Sequence, residues 1–198
     1  IETLGDLITF FPRNYEDRSK PKKIDELVDG EEALIDVICA SNMNETRFAR
    51  NKVMLKMLVR DDTGDCVLTW FNQTYLKNKF KVGERYQFYG KVNIKYGRTE
   101  MARPVFDKEG INKNTGKIIP IYPLTYNLSQ NKLRGIIENG LKLVLGKLDE
   151  TIPEYILKQY NLEDINKATM QIHFPNNFED YSKARRRFVF EELLTVQL

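Results

Sequence analysis

Apolar positions along the chain change period twice. Leu4, Leu7, Ile8 and Phe11 recur at helical spacing, Thr3 stands where a cap belongs with Asp6 three residues on, and Pro12 ends the run. A charged linker over residues 13–23 follows. Between residues 33 and 106 the period falls to two. Ala33, Ile35, Val37 and Cys39 alternate with other residues, as do Val53, Leu55, Met57 and Val59, with Lys56 and Arg60 on the opposite face. Asp61-Asp62-Thr63-Gly64-Asp65 is a turn by composition, after which Cys66, Leu68 and Trp70 share one face and Val67, Thr69 and Phe71 the other. A short helix is predicted over residues 72–80 with Asn72 as its cap. A strand then carries Tyr86, Phe88, Gly90 and Val92 on one face, Tyr96-Gly97-Arg98 turns, and a fifth strand over residues 99–106 is interrupted by Pro104 as an edge or bulge. Beyond it the helical period returns.

Three strands, a short helix and two strands give a five-stranded Greek-key barrel, an OB-fold, followed by a packed helical segment. The expected divisions are an N-terminal helix and charged linker (1–30), the barrel (31–107), a helical appendage packed on it (108–180), and the start of a linking helix (181–198). In the appendage a short apolar stretch over residues 118–122 reads as an added strand. Ser129 caps a helix with a continuous apolar stripe from Leu133 through Leu141 to Leu148, and Thr151-Ile152-Pro153-Glu154 has the form of a capping box. A first residue other than Met and a last helix without a cap suggest a piece of a longer protein.

Charge sharpens the picture. The net charge of the 198 residues is only +3, but it is unevenly spread. Arg47, Arg50, Lys52, Lys56, Arg60, Lys77, Lys79, Lys81, Arg85, Lys91, Lys95, Arg98 and Arg103 face only Glu45, Asp61, Asp62, Asp65, Glu84 and Glu100 over residues 44–103, leaving the remainder slightly acidic. A basic stretch on a near-neutral chain is the pattern of a phosphate-binding face or of a solvated basic surface. Arg47, Phe48 and Arg50 fall at the expected tip between the first two strands, which reads either as the loop that often grips the strand in OB-folds or as a merely solvated loop tip.

Several chemistries are excluded. Five residues separate Gly110 from Gly116-Lys117 where a phosphate loop needs four, and Ile118 replaces its Ser/Thr, so no ATP hydrolysis is expected. Cys39 and Cys66 with the single His173 cannot build a zinc site and read as buried hydrophobes, and His173 reads as structural. No apolar run is long enough to span a membrane. The remaining cluster is Trp70-Phe71-Asn72-Gln73-Thr74-Tyr75. Period two turns Trp70 inward and Phe71 outward, and with Asn72 as cap Tyr75 lies in the first helical turn. Two readings stand: an exposed aromatic pair beside free amides, suited to bases and phosphates, or Phe71 stapled onto Leu76.

Motifs along the whole chain resemble those of the RecG helicases. Pro12-Arg13-Asn14-Tyr15-Glu16-Asp17-Arg18-Ser19 resembles the signature preceding their barrel, with Asn14 where a second arginine is usual. Trp70-Phe71-Asn72-Gln73 with Tyr75-Leu76, Ile119-Pro120-Ile121-Tyr122-Pro123-Leu124-Thr125 with Leu128-Ser129-Gln130, and Ile172-His173-Phe174-Pro175 match further elements in family order. So do Ala184-Arg185-Arg186-Arg187-Phe188 and Phe190-Glu191-Glu192-Leu193-Leu194. The resemblance implies a wedge that splits strands in branched DNA, at replication forks and Holliday junctions, with Phe71 and Tyr75 stacking on branch-point bases. Arg47, Arg50, Lys52, Lys56, Arg60, Lys91, Lys95 and Arg98 would then hold backbone phosphates and single-stranded arms, with Phe48 as a loop contact. It also implies motor domains downstream in the same chain, using ATP and magnesium that this segment does not bind, and a monomeric, cytoplasmic bacterial enzyme. The alternatives are a stand-alone single-strand-binding module and a protein-interaction domain.

Overall fold

The computed structural model describes residues 2–49 and 52–197, with only the backbone at residues 48 and 49. In chain order the elements are α1 (Leu4–Ile8), β1 (Asn14–Arg18), β2 (Pro21–Lys22), β3 (Glu32–Cys39), β4 (Asn44–Ala49), β5 (Lys52–Arg60), β6 (Asp65–Phe71), β7 (Arg85–Lys95), β8 (Arg98–Lys108), β9 (Lys117–Ile121), α2 (Gln130–Val144), α3 (Glu154–Tyr160), α4 (Ile165–His173) and α5 (Phe178–Gln197). They form two compact units, residues 17–117 and residues 1–16 with 118–198.

In the first unit the strand order is β2-β3-β7-β8-β6-β5-β4, and a further β3–β5 pairing closes the ring. The closed part has the expected five strands, with β6 parallel to β8 and the other ring pairings antiparallel. Closure leaves few unpaired backbone groups among these strands. Alternation fills the ring as the sequence indicates. Ala33, Ile35, Val37, Cys39, Leu55, Met57, Val59, Cys66, Leu68, Trp70, Phe88 and Val92 all point in and are buried. Leu76 and Phe80 join this core, and the Phe80 ring stacks on Trp70 at 5.6 Å between centroids. The acidic turn is held by Asp61, whose carboxylate accepts from the amides of Ile24, Thr63 and Gly64 and from the Thr63 hydroxyl.

Two local expectations are corrected. Residues 44–49 form a strand paired with β5, because the ribbon's alternation meets the free edge of β5. The helix expected over residues 72–80 is a single 3₁₀ turn, Thr74–Leu76. Asn72 does not cap it. The Asn72 amide donates to the Val53 carbonyl at 2.8 Å and its side chain accepts from the Val53 amide at 3.0 Å, which carries the β5–β6 ladder one residue further. The backbone then turns at φ +56, whereas an N-cap needs extended geometry.

Pro104 sits at a bulge, as its position suggested. Between the pairs Tyr89↔Val105 and Lys91↔Ala102, two residues of β8 face Gly90 alone. A Cβ on Gly90 would meet Met101 Cγ at 3.0 Å and Pro104 Cα at 3.2 Å, so only glycine lets the strands approach. Tyr96 and Gly97, both at positive φ, make the two-residue turn between β7 and β8.

The second unit is helical, with β1 and β9 paired as a small sheet. Thr3 and Asp6 form the capping box of α1, and Ser129 caps α2 by accepting from the Lys132 amide. Tyr122, Leu133, Ile137 and Leu141 make one core, and Ala168, Ile172 and Ala184 another. The capping box read at Thr151 is not formed. Helix α3 starts after Pro153 with no side-chain cap, and the Thr151 hydroxyl donates to Glu191, which also pairs with the buried Arg187. His173 is structural: its Nε2–H donates to the Ile8 carbonyl at 2.7 Å and its Nδ1 accepts from the Tyr122 hydroxyl at 2.9 Å.

Candidate nucleic-acid interface

Period two puts Met54, Lys56, Leu58 and Arg60 of β5 on the outer face of the barrel, opposite the buried Leu55, Met57 and Val59. Strand pairing then sets outward side chains side by side. Asn44, Lys56, Thr69, Ala102 and Lys91 form one row across five strands through successive register pairs. One step along, Met54 pairs with Phe71; one step the other way, Glu100 pairs with Asn93 and Val67.

The basic residues singled out in the sequence divide into groups. Lys52, Lys56, Arg60, Lys91 and Lys95 alternate outward on β5 and β7, and Arg98 faces Lys95 across the hairpin turn. The Arg60 guanidinium is held by Asp65 in two bonds of 2.6 and 3.0 Å, so part of its charge is already neutralised. Arg47 lies opposite Val53, on the other face of the β4–β5 ribbon, and leans on Glu45 at 3.4 Å; Glu45 also takes Lys77 at 2.9 Å. Arg50 and the Phe48 side chain lie outside the described residues.

Phe71 ends β6 on the outer face and is half-buried, and it is not among the residues that pack the barrel core, whereas Leu76 is. The Arg103 guanidinium lies over its ring, 5.4 Å from the centroid. Arg103 owes this position to the bulge. It adopts φ +52, a sparsely populated region for a side chain of its size, and the next residue, Pro104, is tied to the barrel interior by Trp70. Tyr75, on the 3₁₀ turn, is 74% exposed, with its hydroxyl donating to Gln73 at 3.1 Å. With only three residues in that turn, the phosphate-binding helix N-terminus expected at Asn72 does not exist. Arg103, read from the sequence only as one of the basic residues, is brought over Phe71 by the bulge. Tyr96 is fully exposed at its turn between Lys95 and Arg98, where the two-residue hairpin requires its positive φ.

The glycine loop does not fit a nucleotide. The amides of Asn114 and Thr115 donate to the Asp107 carboxylate at 2.5 and 2.9 Å, and β9 rather than a helix follows Gly116. Arg18 donates to the Asn114 carbonyl at 2.8 Å and packs on the Tyr89 ring, so it braces the same loop. Among the described residues no group of His, Cys, Asp and Glu is placed to hold a metal ion, and no helix is long and apolar enough to cross a membrane.

Ring closure, strand order and the outward basic rows define an OB-fold barrel carried with a helical unit. The comparisons narrow the class. The family model for the RecG wedge domain matches residues 1–144. The ATP-dependent DNA helicase RecG of Thermotoga maritima is 37% identical over the full chain, and that of Treponema pallidum 31%. A solved structure of RecG bound to a three-way DNA junction superposes on the whole chain with a TM-score of 0.89 at 35% identity, the chain covering 27% of it. The chain belongs to the RecG wedge domain family. It spans 26% of the Thermotoga protein's length and 28% of the Treponema protein's.

Proposed function

We propose that this chain is the strand-separating wedge of an ATP-dependent helicase that remodels branched DNA, replication forks and Holliday junctions among them. Residues 31–107 would be the wedge barrel. The observation that carries this reading is a pair of aromatic rings, Phe71 on the outer face and the exposed Tyr75 just beyond it, on a barrel whose outer face also carries Lys52, Lys56, Lys91 and Lys95. Lys52, Lys56, Lys91, Lys95 and Arg98 would hold phosphates, and the two rings would take the bases of an opened pair.

Magnitudes favour a wedge over an independent unwinding machine. Opening one base-pair step costs about 1.4 kcal/mol on average. One aromatic platform returns about 1–3 kcal/mol per stacked base. Two platforms hold one pair open but supply no net work over many steps, so unwinding needs a motor. The motor would be the remainder of the parent chain, with ATP and magnesium bound there, in a monomeric bacterial enzyme of the cytoplasm.

The test is a binding series with the chain against a fork, a three-way junction, plain duplex and a single strand of the same sequence. Tighter binding to the branched substrates than to either control supports the wedge. Preference for the single strand identifies a single-strand-binding module instead, and equal binding to all four overturns branch recognition.

A further inference from the structure

Beside Phe71 the outer face of the barrel is indented. Met54, Lys56, Thr69, Phe71, Asn93, Glu100, Met101 and Ala102 enclose about 140 Å³. A cavity of roughly 150 Å³ accepts one benzene-sized ring, so the recess admits a single planar ring edge and nothing as large as a whole nucleotide. The walls come from β5, β6, β7 and β8, which fixes them to the rigid ring rather than to a loop.

The polar groups of this recess are not consumed by the fold. Thr69 is only 6% exposed, yet its hydroxyl has no hydrogen-bond partner. Such a group is costly in a folded protein and points to a ligand that satisfies it. Among the described residues Lys56 and Glu100 make no ion pair, although both line this recess. Glu100 stands in register with Asn93, one row from the Lys56–Thr69 pair. The recess therefore presents a carboxylate acceptor, an ammonium donor, an amide able to do both, and a hydroxyl.

We propose that this recess reads the edge of one unpaired base lying against Phe71, selecting bases that carry an exocyclic amino group. Glu100 accepts from that amine, as carboxylates accept from cytosine N4. Asn93 donates to the ring nitrogen or carbonyl beside it, Thr69 completes the edge, and Lys56 stays with the adjoining phosphate. Thymine has no amine and sets a carbonyl oxygen against the Glu100 carboxylate. Adenine, cytosine and guanine are accepted and thymine is disfavoured. The proposal rests on the reading that Phe71 stacks a parted base.

The test uses forks of one sequence differing only in the unpaired nucleotide at the branch: dA, dC, dG, dT or an abasic site. The chain's Kd for each is measured by fluorescence anisotropy at one salt concentration. The dT fork is expected to bind at least about 5-fold more weakly than the dA, dC and dG forks, the lower bound for a good bidentate edge contact. Glu100→Ala and Thr69→Val should shrink that preference to under about 2-fold while leaving the abasic fork's Kd unchanged. Thr69→Val removes an unpartnered buried hydroxyl, so an undiminished melting temperature confirms that its fold is intact. Equal Kd values for the four bases, or a preference that survives both substitutions, overturn the proposal. Phe71→Ala separates the two levels. If it weakens every fork alike while dT matches the other bases, edge reading fails and the wedge stands; if it weakens none, the wedge reading fails as well.

Discussion

The Trp70 indole N–H donates to the Pro104 carbonyl at 3.2 Å, from inside the barrel to the bulge on its wall. This bond ties the interior to the residue that follows Arg103, and so fixes where the guanidinium over Phe71 is presented. Trp70→Phe keeps an aromatic ring in the core but leaves a carbonyl without its partner. The expected loss is about 1–3 kcal/mol for the unsatisfied group, with a further contribution from the smaller ring. Urea titration should show a lower midpoint at an unchanged m-value, and fork affinity should fall by more than it does in a variant of equal stability altered in the helical unit.

Tyr75 and Phe71 should separate function from folding. Tyr75 is largely exposed, so Tyr75→Ala is expected to change stability by no more than about 0.5 kcal/mol. If its ring stacks on a base, fork affinity should fall about 5–150-fold, the equivalent of about 1–3 kcal/mol. Phe71→Ala should give a similar loss in affinity with a measurable cost in stability, because the ring is half-buried. Anisotropy and thermal melts on the same samples decide both points.

The salt dependence of duplex binding should distinguish Lys91 from Arg60. Each neutralised phosphate contributes about 0.9 to the slope of log affinity against log salt. Lys91→Ala is expected to reduce the slope by about that amount. Arg60→Ala should reduce it less, since Asp65 already holds the guanidinium in two bonds. A larger change at Arg60 than at Lys91 would mean that DNA strips Asp65 away on binding.

How much of this was legible in the sequence follows from the range over which each feature is encoded. The inward faces of Ala33 to Cys39, Leu55 to Val59 and Cys66 to Trp70 were readable because period two is a property of one strand. The caps at Thr3 and Ser129 were readable because a cap lies within three residues of what it binds. The outward direction of Phe71 followed from the same parity. The left-handed turn at Asn72 was not readable, because it depends on Val53, nineteen residues away. Arg103 was read only as one of many basic residues, because its place over Phe71 is set by a bulge that exists only when β7 and β8 are in register around Gly90. The recess around Thr69 draws on four strands, so no single stretch of sequence announces it. Arg47 fell on the unexpected face because a loop tip was read where a paired strand forms.

Arg187 should prove a stabilising clamp. Its side chain is fully buried on α5, with Nη2 on Glu150 at 2.6 Å and Nη1 on Glu191 at 3.2 Å. Glu150 in turn accepts from the amides of Ile152 and Ile165, so one guanidinium organises the segment between α2 and α4. Arg187→Ala strands two carboxylates and opens a cavity. Breaking buried pairs costs about 3–5 kcal/mol, and the partial exposure of both glutamates places this case near the lower end. Arg187→Met fills the volume and should recover part of the loss. Denaturant midpoints of the two variants, compared with wild type, give the division between packing and charge.

His173 makes the helical unit sensitive to mild acid. Because the Ile8 carbonyl can only accept, Nε2 carries the proton, and Nδ1 is left to accept from Tyr122. Burial pushes the imidazole pKa below its ordinary 6.5, partly offset by the bond to Ile8. Burial also pushes the Tyr122 phenol up, so that hydroxyl keeps its proton and remains the donor. Since the unfolded chain takes up the proton first, this stability is complete above pH 6.5. It is lost as pH falls from there toward the folded-state pKa, at up to about 1.4 kcal/mol per pH unit. Chemical denaturation at pH 7.5 and 5.5 should show the wild type weaker at the lower value, before most carboxylates titrate. His173→Gln should be less stable at pH 7.5, because two buried groups lose an ideal partner, yet nearly flat between the two pH values. A wild type equally stable at both would mean that protonated His173 is accommodated, and that Tyr122 can turn its hydroxyl to accept.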